Sequence, residues 1–179
     1  MVEVRRPGLI IGCVDNGLAR RQIAERVKDG SLSWVGGYSQ AVPRELQSGP
    51  RLVTSLWWVD SGNGENYGQI IIGNSDKAIF DKDICYSLPL PTLQRPELLT
   101  QAPPQEQSCA QIAEQGPTIN QAMAALVVEV VRKLIEGNCS WMQLYLDLEA
   151  GMLNPILATP EVVENITGIK KKKFVVERR

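Results

Sequence analysis

The chain has 179 residues, a formal net charge of −1 and no histidine. This length suits one domain with a sizeable core, and the lack of histidine excludes Ser-His-Asp and Cys-His catalysis and every histidine-containing metal site. Cysteines stand at 13, 85, 109 and 139 without a Cys-x-x-Cys pair, so we expect no zinc, and we expect reduced thiols in a cytoplasmic protein.

The first predicted elements are a buried strand and a helix that follows it at once. Residues 9–14 are an apolar run of strand length, as found in sheets that are covered on both faces. Cys13 in this run is expected to be a small core residue. Asp15 or Asn16 can cap the next helix, which Asp29-Gly30 ends. Asp15 therefore lies where a strand ends, the place at which α/β sheets bind ligands.

A second pair of strands is predicted in the middle of the chain. Residues 52–60 are rich in β-branched and aromatic side chains, and residues 69–73 form another apolar run. The glycines of the turn at 61–68 superficially resemble a dinucleotide loop. A strand rather than a helix follows them, so we interpret them as turn residues with positive φ angles.

The second half of the chain predicts one long loop, one long helix and two strands. Five prolines between 89 and 104 predict an extended loop over 87–108. An almost wholly apolar helix is expected from Thr118 to about Glu136, with Gly137 as its terminator. Alternating apolar residues predict a strand over 142–148 with one buried face, and residues 152–157 predict another.

The last ten residues form a basic tail, which we separate from a domain spanning 1–169. Residues 170–179 carry six Lys or Arg and one Glu, whereas the other residues sum to −6. A short solvated charge run on an acidic body is a weak nucleic-acid footprint, so we do not expect nucleic-acid binding. No apolar run reaches the roughly 18 residues that span a bilayer, so no membrane association is expected.

Three motifs in this order resemble the ThiF/MoeB/HesA family of ubiquitin-activating-enzyme-like adenylyltransferases. The resemblance covers about residues 9–157 and is closest to the ThiF-like proteins of bacterial gene clusters. The motifs are Val14-Asp15-Asn16 with Ala19-Arg20, then Asp60-Ser61-Gly62-Asn63 with Gly68-Gln69, then Ser108-Cys109 with Ile119-Asn120-Gln121. The resemblance implies an α/β fold with an incomplete Rossmann-like sheet flanked by helices, an added strand-turn-strand and a long proline-rich crossing loop.

The resemblance also implies a chemistry and a set of site residues. Such enzymes use ATP and Mg²⁺ to adenylate the C-terminal carboxylate of a ubiquitin-like protein. Asp15 would hold Mg²⁺ or orient the phosphates, Asn16 would shape the pocket, and Arg20 matches a family arginine. The alternative for all three is a helix cap with a solvated first turn. Cys109 matches the thioester-forming nucleophile of some members, and its alternative is an ordinary loop cysteine, because no nearby cation lowers its pKa.

One departure from the family bears on activity. The resemblance implies an upstream glycine-rich loop, a ribose-binding acid, an arginine and a lysine, and the fourteen residues before Asp15 cannot hold them. We therefore expect either that this is the C-terminal part of a split or truncated enzyme, whose missing half of the site another chain supplies in the split case, or that the ATP chemistry is lost. An open edge at the first strand and the apolar helix at 118–136 favour a homodimer or a heteromer. The second hypothesis for function is accordingly a non-catalytic dimerisation or interaction domain.

Overall fold

The computed structural model describes residues 8–29, 56–76, 78–81, 84–100 and 116–170. Cys109 and residues 171–179 of the basic tail lie outside these ranges. The strands are β1 (Gly8–Gly12), β2 (Leu56–Asn63), β3 (Tyr67–Gly73), β4 (Ile79–Asp81), β5 (Ile84–Ser87), β6 (Trp141–Asp147) and β7 (Met152–Leu157). The helices are α1 (Gly17–Asp29), α2 (Pro91–Gln94), α3 (Pro117–Glu136) and α4 (Pro160–Thr167), with a 3₁₀ helix at Pro96–Leu99.

The fold is α/β and is built on a mixed sheet flanked by helices. Five of the strands form one sheet in the order β1-β2-β3-β6-β7. The β1–β2 pair is parallel, and the other three pairs are antiparallel. The carboxyl ends of β1 and β2 and the beginning of β3 therefore lie at the same edge of the sheet, next to the start of α1.

Neighbouring residues of each strand point to opposite faces of the sheet, and helices pack on both faces. On one face, α3 packs onto the sheet, with Val59 in the cluster below it. On the other face, Trp58 packs with α1 and α2. The remaining cluster joins α4 to Met142. Among the described residues, none of the helices combines the length and the apolar character that crossing a bilayer requires.

Several predicted elements are confirmed, and their ends have clear causes. The first strand and helix, the strand at 152–157 and the long helix are present. The long helix ends at Gly137, which has a φ of 71°, a left-handed conformation that glycine adopts without steric cost. A strand is present at Trp141–Asp147, one residue earlier than the predicted 142–148, but the prediction of a single buried face is wrong, since Gln143 is buried as well as Leu144.

The prediction for the proline-rich segment is wrong in part. The expected extended loop over 87–108 instead contains α2 and the 3₁₀ helix, as far as Thr100. Pro91 and Pro96 begin these two short helices. Proline is well accommodated there, because the first helical residue needs no N–H donor and already has the φ that the ring imposes. Residues 101–108 lie outside the described part of the chain.

The central hairpin is also tighter than expected. β2 continues to Asn63 and β3 begins at Tyr67, so the connection is much shorter than the predicted turn at 61–68. Gly62, Gly64 and Gly68 do not have positive φ angles. Gly68 instead allows close packing, since a Cβ there would lie 2.3 Å from Sδ of Met123 in α3.

Candidate functional site

A cleft lies at the sheet edge where β1 and β2 end. Its volume is about 680 Å³, within the usual range for small-molecule and cofactor sites. Ligands of α/β sheets bind at such carboxyl ends. The lining residues come from the end of β1, α1, the β2–β3 hairpin and the 3₁₀ helix with the residue before it: Cys13, Val14, Asp15, Arg20, Ser61, Gly62, Asn63, Tyr67, Gln69, Arg95, Glu97 and Leu98.

Asp15 and Asn16 have different roles at the start of α1. Asn16 caps the helix, because its Oδ1 accepts a hydrogen bond of 2.8 Å from the backbone N–H of Ala19. Asp15 is exposed and lines the cleft. The helix-cap alternative thus describes Asn16, whereas the carboxylate of Asp15 is accessible to a molecule in the cleft.

Arg20 lies in the first turns of α1 and is buried. Its Nε lies 3.2 Å from Oδ1 and 3.1 Å from Oδ2 of Asp60, and the side chains are 2% and 0% exposed. Burial raises the pKa of Asp60 to about 6, although the charge and the hydrogen bond of Arg20 act to lower it. Asp60 is therefore mostly ionised at pH 7. Because Arg20 is buried, it does not belong to a solvated first turn.

The glycine at the end of β1 makes room for this ion pair. Gly12 is opposite Asp60 in the register of the two strands. A Cβ at Gly12 would lie 2.7 Å from Nε1 of Trp58 and 3.4 Å from Oδ1 of Asp60. The missing side chain of Gly12 lets the indole and the carboxylate pack against the end of β1.

Hydrogen bonds link Arg95, at the cleft, to polar side chains in the interior of the fold. Nη1 of Arg95 lies 2.5 Å from the Tyr145 hydroxyl, which lies 2.8 Å from Oε1 of Gln143. The buried Gln143 amide donates to Gln94 over 2.9 Å. Arg95 also pairs with Glu97; the pKa of Glu97 is lowered, first by its own backbone N–H and then by Arg95.

The same edge of the sheet is tied to the long helix. Nδ2 of Asn63, at the end of β2, lies 2.8 Å from Oδ1 of Asn120 in the first turn of α3. Together with the close contact of Gly68 and Met123, this bond places the start of α3 against the hairpin. The residues of the third motif that the structure describes therefore lie beside those of the second.

The structure brings some of the predicted residues together and revises one. Asp15 and Arg20 both line the cleft, and Asn16 caps the adjoining helix. The expectation that Cys13 is a core residue is wrong, because β1 ends at Gly12 and Cys13 is exposed at the cleft. Cys109 remains a prediction, since it lies outside the described ranges.

Sequence reasoning placed Asp60 in the second motif without giving it a role in the site, and it missed Arg95. Asp60 is a charged residue at the end of an apolar run, and this was a usable signal, because a buried carboxylate requires a partner. Arg95 carried no such signal, because its contacts come from β6, fifty residues later in the chain.

The donor set at the cleft does not make a metal site by itself. Within the described ranges, no group of three or more Cys, Asp or Glu side chains lies close enough to hold a metal ion. Asp15 contributes one accessible carboxylate. Mg²⁺ is commonly held by one or two carboxylates together with substrate phosphates and water, and Asp15 could supply one such carboxylate.

Comparison with known proteins finds no family model and no curated protein that matches this chain.

Proposed function

We propose that this chain is a ThiF-like protein, related to the enzymes that adenylate the C-terminus of a ubiquitin-like protein. Under this proposal the mixed sheet is the part of a Rossmann-like fold that holds the Mg²⁺ side of the nucleotide site. The proposal rests on the resemblance of the three motifs and is supported by their spatial arrangement. It makes ATP and Mg²⁺ the cofactors and a ubiquitin-like protein the partner.

One observation carries the proposal: residues of the first two motifs meet at one cleft, and Asn120 of the third motif contacts the second motif beside it. The ion pair of Arg20 and Asp60 joins the first motif to the second across 40 positions. The hydrogen bond of Asn63 and Asn120 joins the second motif to the third across 57 positions.

The residues of the cleft have distinct roles in the proposed reaction. Asp15 would hold Mg²⁺, which offsets the charge of the phosphates when it is bound. Asn16 holds the start of α1 through its cap, and the Asp60 carboxylate holds Arg20 at the wall of the cleft. The proposed product is an acyl adenylate, formed as the carboxylate of the partner attacks ATP and pyrophosphate leaves.

The glycine-rich phosphate loop is not among these 179 residues. We propose that residues outside this sequence supply that loop. The open edge of β1 is where an additional strand would extend the sheet, because β1 pairs with β2 alone among the described strands.

Cys13 provides a direct test of nucleotide binding, because it is exposed in the cleft close to Asp15. The test is the rate of Cys13 alkylation, located by mass spectrometry, with and without saturating ATP and Mg²⁺. We expect ATP to slow the alkylation only when Mg²⁺ is present, and we expect Asp15→Ala to remove this protection.

The matched control is Glu25→Ala, which removes an exposed carboxylate from α1 outside the cleft. This variant should keep the protection seen in the wild type. Equal alkylation rates with and without ATP and Mg²⁺, in the wild-type chain alone and in its assemblies, would contradict the proposed function.

A second candidate function is a non-catalytic interaction domain. It is favoured by Val128 and Ile135, which lie two turns apart on α3 and are 67% and 69% exposed. Exposed apolar residues on one helix face are typical of contact surfaces. This function predicts a stable oligomer in light scattering that Val128→Glu disrupts, and no change of melting temperature on addition of ATP and Mg²⁺.

A further inference from the structure

The two arginines that line the cleft have very different surroundings. Arg20 is 2% exposed and faces the equally buried carboxylate of Asp60. Arg95 is 36% exposed, and its acidic partner Glu97 is 54% exposed. A buried charge pair is costly to separate, whereas an exposed pair contributes little and exchanges readily. Of these two arginines, Arg95 is therefore the one whose carboxylate partner can be replaced.

A buried chain of hydrogen bonds holds Arg95 in place. The hydrogen bonds run from the cleft toward the sheet interior. Arg95 donates to Tyr145, Tyr145 donates to Gln143, and Gln143 donates to Gln94. Gln94 ends the chain by donating to two backbone carbonyls at 2.7 and 2.6 Å. Gln94 and Gln143 are each only 2% exposed. Buried and fully satisfied polar networks rigidify the groups that they join.

The Tyr145 ring adds a second restraint on the same side chain. The guanidinium carbon of Arg95 lies 5.9 Å from the ring centroid, within the range of cation–π attraction. Tyr145 thus fixes one side of the guanidinium, and Glu97 occupies another position around it. Arginine carries five N–H donors in a planar fork, and this fork suits bidentate recognition of oxyanions.

We propose that Arg95 is the oxyanion-binding residue of the cleft, and that Glu97 is an internal counter-ion which a phosphate or carboxylate group of the ligand displaces. The inference rests on the proposed function in that it concerns the same cleft. It names a residue outside all three motifs. Tyr145, Gln143 and Gln94 are positioning residues that act through Arg95.

The test is calorimetric titration of the purified chain with pyrophosphate and, separately, with succinate, both without Mg²⁺. Arg95→Gln should weaken binding of the effective probe by about tenfold or more, because a charge-assisted hydrogen bond is lost. Glu97→Gln should strengthen binding severalfold, because it removes the competing carboxylate. The two probes distinguish a phosphate ligand from a carboxylate ligand.

Arg132→Gln is the matched control, since Arg132 is an exposed arginine that pairs with Glu129 and Glu136 on α3. It should not change the affinity for either probe. The proposal is overturned if neither probe binds the wild type, if Arg95→Gln leaves the affinity unchanged, if Glu97→Gln weakens binding, or if Arg132→Gln weakens it equally.

The outcomes for Arg95 and for the proposed function can be separated. If pyrophosphate or succinate binding depends on Arg95 while ATP and Mg²⁺ never protect Cys13, the inference holds and the adenylation function fails. If Asp15-dependent protection of Cys13 by ATP and Mg²⁺ is observed and Arg95→Gln binds both probes normally, the function stands and the inference fails.

Discussion

The guanidinium of Arg20 and the carboxylate of Asp60 form an ion pair that solvent scarcely reaches, with Nε 3.1 Å from Oδ2. The pair connects α1 to β2 at the base of the cleft. The raised pKa of Asp60 shows that the cost of burial exceeds the attraction of Arg20 for this carboxylate. The pair is therefore better understood as fixing the position of α1 than as a source of stability.

Replacement of Arg20 by methionine should destabilise the chain in a pH-dependent way. Arg20 lowers the pKa of Asp60, so its removal should raise that pKa above about 6. The pKa of an ordinary, solvated aspartate is 3.8. Because the pKa of Asp60 is higher in the folded chain, the free energy of unfolding falls as pH rises from 3.8 through the folded-state pKa. Urea denaturation should show a larger loss at pH 8, about 3–5 kcal/mol, than at pH 5.

Two further variants define this pH effect. Arg21→Met changes an exposed neighbour and should alter the free energy of unfolding by less than about 0.5 kcal/mol. The double variant Arg20→Met/Asp60→Asn has no carboxylate at 60, so its excess loss at pH 8 should disappear. An equal loss at pH 5 and pH 8 in Arg20→Met would show that Asp60 does not titrate as described.

The contact of Gly68 with Met123 gives a second prediction. An alanine Cβ at position 68 would lie 2.3 Å from Sδ and 2.8 Å from Cγ of Met123. Since Met123 is buried, it cannot move into solvent without loss of core packing. Gly68→Ala should reduce the free energy of unfolding by about 1–3 kcal/mol, as measured by urea denaturation.

Gly62→Ala is the control for this change, because its Cβ would make only an ordinary contact, 3.7 Å from Nη2 of Arg20. It should be close to neutral. In a double-mutant cycle, Met123→Ala should absorb part of the cost of Gly68→Ala, so the double variant should lose less than the sum of the two single losses. Strict additivity would argue against the close contact.

Local signals allowed part of this fold to be predicted. The cap at Asn16 and the terminator at Gly137 each depend on residues within one or two turns of a helix end, and both were visible in the sequence. The apolar runs likewise indicated the strands. The proline-rich segment is not predictable in this way, because Pro91 and Pro96 start short helices, although the same residue type ends or breaks longer ones.

The cleft depended on pairings that no local pattern contains. Asp60 accepts a hydrogen bond from Arg20, forty residues away in the sequence. Arg95 donates one to Tyr145, fifty residues away. Cys13 follows three apolar residues and a glycine, yet it is exposed, because the strand ends one residue earlier. These features depend on how distant segments pair in the folded chain. The residue pattern of one segment does not determine that pairing.

The buried polar chain gives a third prediction. Gln143→Leu removes the acceptor of the Tyr145 hydroxyl and the donor to Gln94. Buried polar groups left without partners cost about 1–3 kcal/mol, so the free energy of unfolding from urea denaturation should fall by this amount. Gln22→Leu, at an exposed position of α1, should change it by less than about 0.5 kcal/mol. A stability of Gln143→Leu equal to that of the wild type would show that the chain of bonds is not formed in solution.

The contact of Gly17 with Leu99 gives the last prediction, because it joins the start of α1 to the 3₁₀ helix beside the cleft. An alanine Cβ at Gly17 would lie 2.2 Å from the carbonyl oxygen and 2.6 Å from the carbonyl carbon of Leu99. A backbone group cannot rotate away as a side chain can, so Gly17→Ala should push the 3₁₀ helix from α1 and cost about 1–3 kcal/mol. Since Glu97 lies on that helix, the change should also alter the affinity for the anion that Arg95 binds.

Leu18→Ala, at a position that is 66% exposed, should change neither the free energy of unfolding nor the anion affinity measured by calorimetry. If Gly17→Ala matched the wild type in both measurements, α1 and the 3₁₀ helix would not be in this close contact.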